Sequence, residues 1–264
     1  MFATGLPFGY RGHILQIVDI GDPANPVEVS RWWDEGQWRA GGEPPSVSGT
    51  LLHGGAYVQS DRAYLPYGAG GLIILDISDI RKPHLVGRLR FSPPFTPLIT
   101  VHTAVPLRGR PLVLVNSEAI AENGEEPLNF AGVVDVSEET EPRLISLCPL
   151  PSAPDGASYR NFYEKGGRFG PHNQHQWQAN EALLHDENLM FLTYFNAGLR
   201  VYDISDERDP REIAYFVPPN PENRLGALPR GALVNQTEDV LVDARGYIYS
   251  TDKNLGIYVL RLSR

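Results

Sequence analysis

One cysteine, Cys148, stands in 264 residues, which leaves the fold no internal disulfide framework. It lies in the strand-like run Leu144–Cys148, where a small core residue is expected, and a lone thiol suits a reducing compartment. No run of eighteen apolar residues occurs, so no membrane span is expected. No leader-like segment opens the chain, which leaves localisation open: cytoplasmic, or exported if residues precede Met1. Lys and Arg are nowhere clustered, and the net charge is −9, which argues against nucleic acid as a partner. Glycine-rich phosphate loops, dinucleotide fingerprints, nucleophile elbows and His-Glu-x-x-His helices are all missing. What remains is 42% hydrophobic residues, enough for a substantial core, with 26 Gly and 23 Pro distributed through many turns.

A turn motif occurs four times. It reads Asp19-Ile-Gly-Asp22…Pro26, Asp76-Ile-Ser-Asp79…Pro83, Asp135-Val-Ser-Glu138…Pro142 and Asp203-Ile-Ser-Asp206…Pro210. In every copy an acid follows the first Asp by three residues and Pro follows it by seven. The first Asp residues are 57, 59 and 68 positions apart, a period that indicates a repeat architecture. Asp and Ser side chains accept backbone N–H groups and close tight turns, while the Pro opens the next run.

Short runs rich in Val, Ile, Leu and aromatics flank each copy, which is strand composition. The second repeat gives four expected strands: A at about His53–Val58, B Arg62–Tyr67, C Leu72–Ile77 and D His84–Phe91. The third gives His102–Leu107, Pro111–Asn116, Gly132–Val136 and Arg143–Cys148. In the fourth, A lies within His172–Leu184, followed by Met190–Phe195, Leu199–Ile204 and Glu212–Val217. Repeated units of four antiparallel strands predict an all-β chain, a β-propeller whose blades carry insertions. One propeller domain is expected over 1–264, with a partial blade at 1–33, blades at 52–91, 102–148 and 172–217, and a partial blade at 238–264. Leu6-Pro-Phe-Gly matches Leu65-Pro-Tyr-Gly at the end of strand B, so the first repeat is expected to lack A and B. Asp239–Val242, Tyr247–Thr251 and Ile257–Leu262 are read as A, B and C of a last blade without D. An incomplete or open ring is therefore expected.

The runs Leu15-Gln-Ile-Val-Asp19, Leu72-Ile-Ile-Leu-Asp76 and Leu199-Arg-Val-Tyr-Asp203 resemble the LVIVD repeat family of propellers, and the resemblance covers the whole chain. It implies a propeller fold and little about activity. A more distant likeness to selenium-binding and methanethiol-oxidising propellers implies cysteine chemistry. Cys148 stands alone, so no catalytic residue is carried over.

The Asp…Pro turns join C to D and belong to a structural face. The long D-to-A connections, Asp34–Leu52, Pro149–Pro171 and Pro218–Thr237, crowd the opposite face together with the B-to-C insertion Ser117–Ala131. Connections this long in a compact fold are usually functional. The starts of the A strands carry His53, His102, His172, His175 and Glu238. Innermost strands line a common axis, so these five residues are expected to meet there. Imidazole nitrogens and a carboxylate so placed suit a divalent transition metal, Zn, Fe or Mn. His172 and His175 would face opposite sides of a regular strand, so both serve only if a bulge intervenes. The ordinary alternative is histidines bonded to loops and channel water. His13 and His84 are expected at the surface and His185 in a loop on the other face. Glu118 and Glu238 are the acid/base candidates, and Asn196, Lys253 and Arg168 the substrate-binding ones, although turn and loop packing explains these three equally well.

Two functions follow. One is a small-molecule and metal site at the channel mouth, with metal-dependent hydrolase, lyase or oxidase chemistry. The other is a non-catalytic scaffold whose loops bind a protein partner while the histidines are structural.

Overall fold

The computed structural model describes residues 1–263. Seventeen strands are assigned among them, β1 (Phe2–Gly5), β2 (Ile14–Asp19), β3 (Val27–Trp32), β4 (Tyr57–Gln59), β5 (Arg62–Pro66), β6 (Leu72–Asp76) and β7 (His84–Leu89) coming first. They continue with β8 (Ile99–Pro106), β9 (Leu112–Glu118), β10 (Ala131–Asp135), β11 (Arg143–Leu147), β12 (Leu189–Thr193), β13 (Leu199–Asp203) and β14 (Arg211–Phe216). The last are β15 (Thr237–Val242), β16 (Tyr247–Asp252) and β17 (Gly256–Arg261), and a single helical turn, α1 (Phe162–Lys165), lies in a loop. The strands form five antiparallel sheets in the orders β1-β2-β3, β4-β5-β6-β7, β8-β9-β10-β11, β12-β13-β14 and β15-β16-β17. The sheets are the blades of a propeller. No closed ring is formed among the described residues, and none of their helices is long and apolar enough to cross a membrane.

The repeated turns obey their local chemistry. β2, β6, β10 and β13 end on Asp19, Asp76, Asp135 and Asp203, and each carboxylate accepts the backbone N–H two residues on, at 2.8–2.9 Å. The next strand begins directly after the Pro in all four copies. A further repeat feature is invisible in the sequence. Three residues beyond each Pro, at Val29, Val86, Ile145 and Ile213, the outer strand bulges and the register slips. A bulge adds twist and bends the strand, so each blade's outer edge curves at the same place.

Sheets pack face to face through the alternating residues of their middle strands. Leu15 and Ile17 meet Ala63, Leu65, Ile73 and Leu75 between the first two sheets. Tyr64, Ile74, Val113, Val133, Met190 and Tyr202 share the core that runs through the next three, and Phe191, Val201, Val240 and Ile248 join the last two. Each such fully buried aliphatic side chain stabilises the fold by about 1.5–3 kcal/mol. Cys148 is in this core, against Met190, and burial pushes its thiol up to about 12.

The inner strands depart from expectation in three places. The first sheet holds one strand more than expected: Phe2–Gly5 pairs with β2 as its second strand, the alignment at Leu6 having left the four residues before it uncounted. In the second sheet regular pairing starts only at Tyr57, with His53 held by one bond from its N–H to the Pro66 carbonyl. In the fourth, residues 172–175 run beside β12 through His172 N–H to Thr193 O and His175 N–H to Phe191 O without forming a regular strand.

Candidate metal centre

The chain-local rule that sends the Asp…Pro turns to one end sends the starts of the inner strands to the other, because every pairing is antiparallel. At that end the inner ladders are interrupted. Pairing slips between Ile99 and Thr103 in β8, and between Thr237 and Val240 in β15. His102 and Glu238 lie inside these interruptions, and His53 and His172 lie where regular pairing is missing altogether. Released from strict alternation, the side chains of His53, His102 and His172 turn toward a common point.

That point is Glu118, the last residue of β9. Its Oε2 lies 3.4 Å from His53 Nδ1 and 3.6 Å from His102 Nε2, and its Oε1 lies 3.5 Å from His172 Nε2. The ring centroids step from His53 to His102 at 5.1 Å and from His102 to His172 at 4.6 Å, and His172 stacks on Phe195. His53, His102 and Glu118 each offer one ligand atom within 4.8 Å of the others. Glu118 Oε2 and His53 Nδ1 are buried without a hydrogen-bond partner.

The far side of the rings fixes which nitrogens are free. Thr103 Oγ1 donates its one proton to the His172 carbonyl at 3.1 Å, so it accepts from His102 Nδ1–H at 2.9 Å. His172 Nδ1 lies 2.7 Å from the Glu238 carbonyl, which only accepts, so Nδ1 carries the proton there too. Both rings therefore present an unprotonated Nε2 to Glu118. Burial lowers all three imidazoles, His172 to about 4 against the pull of its bond to Glu238, and His102 well below the ordinary range with His172 adding to the effect. Burial raises the Glu118 carboxyl to about 7, opposed by Arg168. Lone pairs thus face lone pairs around a buried carboxylate, an arrangement that costs free energy unless a cation or proton lies between them.

A canopy of the long loops covers this point. Arg168 reaches Glu238 Oε1 at 2.7 Å, lies 3.4 Å from Glu118 Oε1, and stacks its guanidinium on Phe195 at 3.6 Å. Lys253 Nζ lies 3.1 Å from the same Glu238 oxygen. Asn123 N–H to Gly167 O ties the β9–β10 insertion to the Arg168 loop, and Glu122 accepts the N–H groups of Arg230 and Gly231 from the third loop. Asn196 donates to Phe162 O and Gly166 O at 2.7 Å, and Lys165 bonds Asn196 O and Asn235 Oδ1.

His53, His102 and His172 are thus brought together around Glu118, with Arg168, Glu238 and Lys253 beside them. His175 is not. Its Nε2 bonds the Leu184 carbonyl at 2.8 Å and its Nδ1 accepts Val242 N–H at 3.1 Å, so both nitrogens are engaged between the fourth and fifth sheets. Glu238 directs its carboxylate to Arg168 and Lys253, with Oε2 at 3.7 Å from the protonated nitrogen of His172, and so stands behind that ring. Asn196 is a loop clip with both amide protons used internally. Thr103 and Phe195 escaped sequence reading. Thr103 directly follows His102, and that adjacency is the only signal that pointed to it.

The LVIVD repeat model matches residues 10–34 and 57–90 of the chain. The structure is similar to the β-propeller domain of Cps50 (Swd1) from Myceliophteria thermophila, with TM-score 0.50 and 10% identity over 96% of this chain and 64% of that one. It is also similar to the periplasmic gluconolactonase PpgL of Pseudomonas aeruginosa, with TM-score 0.53 and 11% identity over 98% of this chain and 66% of that one. A hypothetical selenium-binding protein from Sulfolobus tokodaii superposes with TM-score 0.41 and 13% identity over 92% and 65% of the two chains. The chain spans just under two thirds of the length of each. At such identities the likeness shows the fold alone. No curated protein matches the sequence.

Proposed function

We propose that this chain of LVIVD repeats on a β-propeller holds a divalent transition metal among His53, His102, His172 and Glu118, and uses it to bind a small molecule under the loop canopy. One observation carries the reading: imidazole nitrogens from three successive blades, two of them held unprotonated, face one buried carboxylate at 3.4–3.6 Å. Ligand atoms at about 2.0–2.2 Å from a tetrahedral ion are about 3.3–3.6 Å apart. The carboxylate-to-imidazole separations match this, while His172, outside the 4.8 Å group of His53, His102 and Glu118, has to swing inward to complete the set. The remaining ring nitrogens of His102 and His172 are anchored to a hydroxyl and a backbone carbonyl, as ligating histidines usually are. Imidazole and carboxylate donors suit Zn, Fe or Mn. A bound ion would supply Lewis acidity.

The chain's own groups set the rest. Arg168 and Lys253 place positive charge beside the set, Glu238 orients both, and Phe195 walls one side. Asn196 and Lys165 keep the Arg168 loop closed. The test is elemental analysis of the protein expressed with supplemented metal and purified without chelator. Near-stoichiometric Zn, Fe or Mn is expected in the wild type and its loss in His102→Ala with the fold retained. A metal-free wild type overturns the reading and leaves the histidines to a scaffold that binds a protein partner.

A further inference from the structure

The Arg168 guanidinium is buried, at 5% exposure, yet poorly matched to its surroundings. Of its hydrogen bonds only Nη2 to Glu238 Oε1 is short, at 2.7 Å. Nε to Gln236 Oε1, Nη1 to Glu118 Oε1 and Nη1 to the Ala119 carbonyl are all 3.4 Å long. A neutral amide would satisfy such distant acceptors equally well. A buried guanidinium usually has better partners, since its desolvation is offset only by short, charge-assisted bonds. Nη1 is the weakly bonded end, with both of its bonds at 3.4 Å, and it lies beside the oxygen of Glu118 that faces His172.

Charge points the same way. With neutral imidazoles the inner set is balanced: Glu118 and Glu238 against Arg168 and Lys253. The neighbouring acids keep their charge but turn their oxygens to other donors and offer the cluster no ligand. Asp252 accepts the N–H groups of Gln236, Asn254 and Leu255, Glu122 those of Arg230 and Gly231, and Glu126 the N–H of Ile120 and the amide of Asn129. A divalent ion adds two positive charges to the four groups of this inner set, in a low-dielectric pocket where they act strongly.

From these observations we infer that the ligand of this site is an acid: a small molecule whose anionic oxygen is received by Arg168 Nη1 at the Glu118–His172 side of the cluster. The inference rests on the metal reading above and adds the substrate class. It makes acid binding conditional on the metal, because without it the inner set is balanced and offers an anion no excess positive charge.

Co(II) is the probe, as its visible absorption reports the ligand field. Acetate titrated into the Co(II)-loaded protein at constant ionic strength should shift the spectrum saturably, and acetamide, its neutral isostere, should not. Arg168→Gln, saturated with Co(II) as judged by its own Co(II) titration, should weaken acetate binding at least tenfold. Arg168→Lys, which keeps the charge and loses the planar fork, should fall between. If wild type takes up Co(II) and acetate does not perturb it, or acetamide perturbs it equally, the inference is overturned. It is also overturned if Arg168→Gln binds acetate as wild type does. Failure to bind Co(II) at all counts instead against the metal reading, which separates the two.

Discussion

Thr103 Oγ1 sits 2.9 Å from His102 Nδ1 and spends its own proton on the His172 carbonyl. One hydroxyl thereby sets the tautomer of a histidine on its own blade and bonds the next blade's backbone. Removing it leaves His102 free to carry its proton on Nε2, which would then point at Glu118. Thr103→Val should weaken metal binding about 10–100-fold, and Thr103→Ser should restore it. In the metal-free protein, ¹⁵N imidazole spectra should show His102 protonated at Nδ1 in wild type and not in the Val variant. An unchanged tautomer in Thr103→Val would sink the argument.

Gly54 approaches the same carbonyl row. A Cβ there would lie 1.9 Å from the His102 carbonyl oxygen, so the backbones of the second and third blades touch directly behind the site. Gly54→Ala should cost about 2–3 kcal/mol of stability, the upper range for a point substitution, and should lower metal affinity by displacing His53. A thermal melt together with a Co(II) titration checks both. Normal affinity in a destabilised variant would show that His53 moves independently of Gly54.

His175 gives a pH prediction away from the cluster. Its Nδ1 accepts Val242 N–H, a bond that needs the neutral ring, and burial lowers its affinity for protons below the ordinary 6.5. Below pH 6.5 the unfolded chain binds a proton that the folded one refuses, so stability falls as pH drops from 6.5 toward the lower folded value. His53, His102 and His172 act in the same direction. The melting temperature should fall between pH 7 and pH 5, and less steeply in His175→Gln. Parallel curves would remove His175 from the account.

The repeated turns give the acid limb. Asp76, Asp135 and Asp203 are lowered chiefly by hydrogen bonds from the Ser two residues on, and Asp22 by Asn25 and Ala24. Their stabilisation is complete above about pH 3.8 and is lost as pH falls through the lower folded values. Replacing Asp76, Asp135 and Asp203 with Asn keeps an acceptor without the charge, and should flatten stability below pH 4. Circular dichroism across pH 2–5 would show it.

The fold was legible because its signal is chain-local and repeated: an Asp that ends a strand and a Pro that opens the next announce themselves within eight residues. The convergence of His53, His102 and His172 was legible for the same reason, as equivalent positions in a repeat share an axis. Glu118 was read as an acid/base candidate outside the metal set. Its central place depends on how far β9 extends, and nothing nearby marks that. Arg168 and Lys165 depend on a loop shaped by contacts with residues 30–70 positions away, among them Asn196, Asn235 and Glu238. His175 was misplaced because position within an irregular strand does not fix which way a side chain faces. The outer-strand bulges follow from pairing, which a single strand's residues do not encode.

The cluster is assembled from separate rigid blades, and no blade supplies more than two of its four central groups. His102 and Glu118 share a sheet, while His53 and His172 arrive from the sheets on either side. Their separations of 3.4–3.6 Å therefore measure the angle between neighbouring blades. Fanning the sheets apart by a few degrees, many ångströms from the hub, opens those gaps beyond the span of one ion. On the proposed reading, metal affinity would act as a caliper for the spacing of the blades, and a partner or ligand that tightens the fan at its rim would be felt at the hub as a change in dissociation rate.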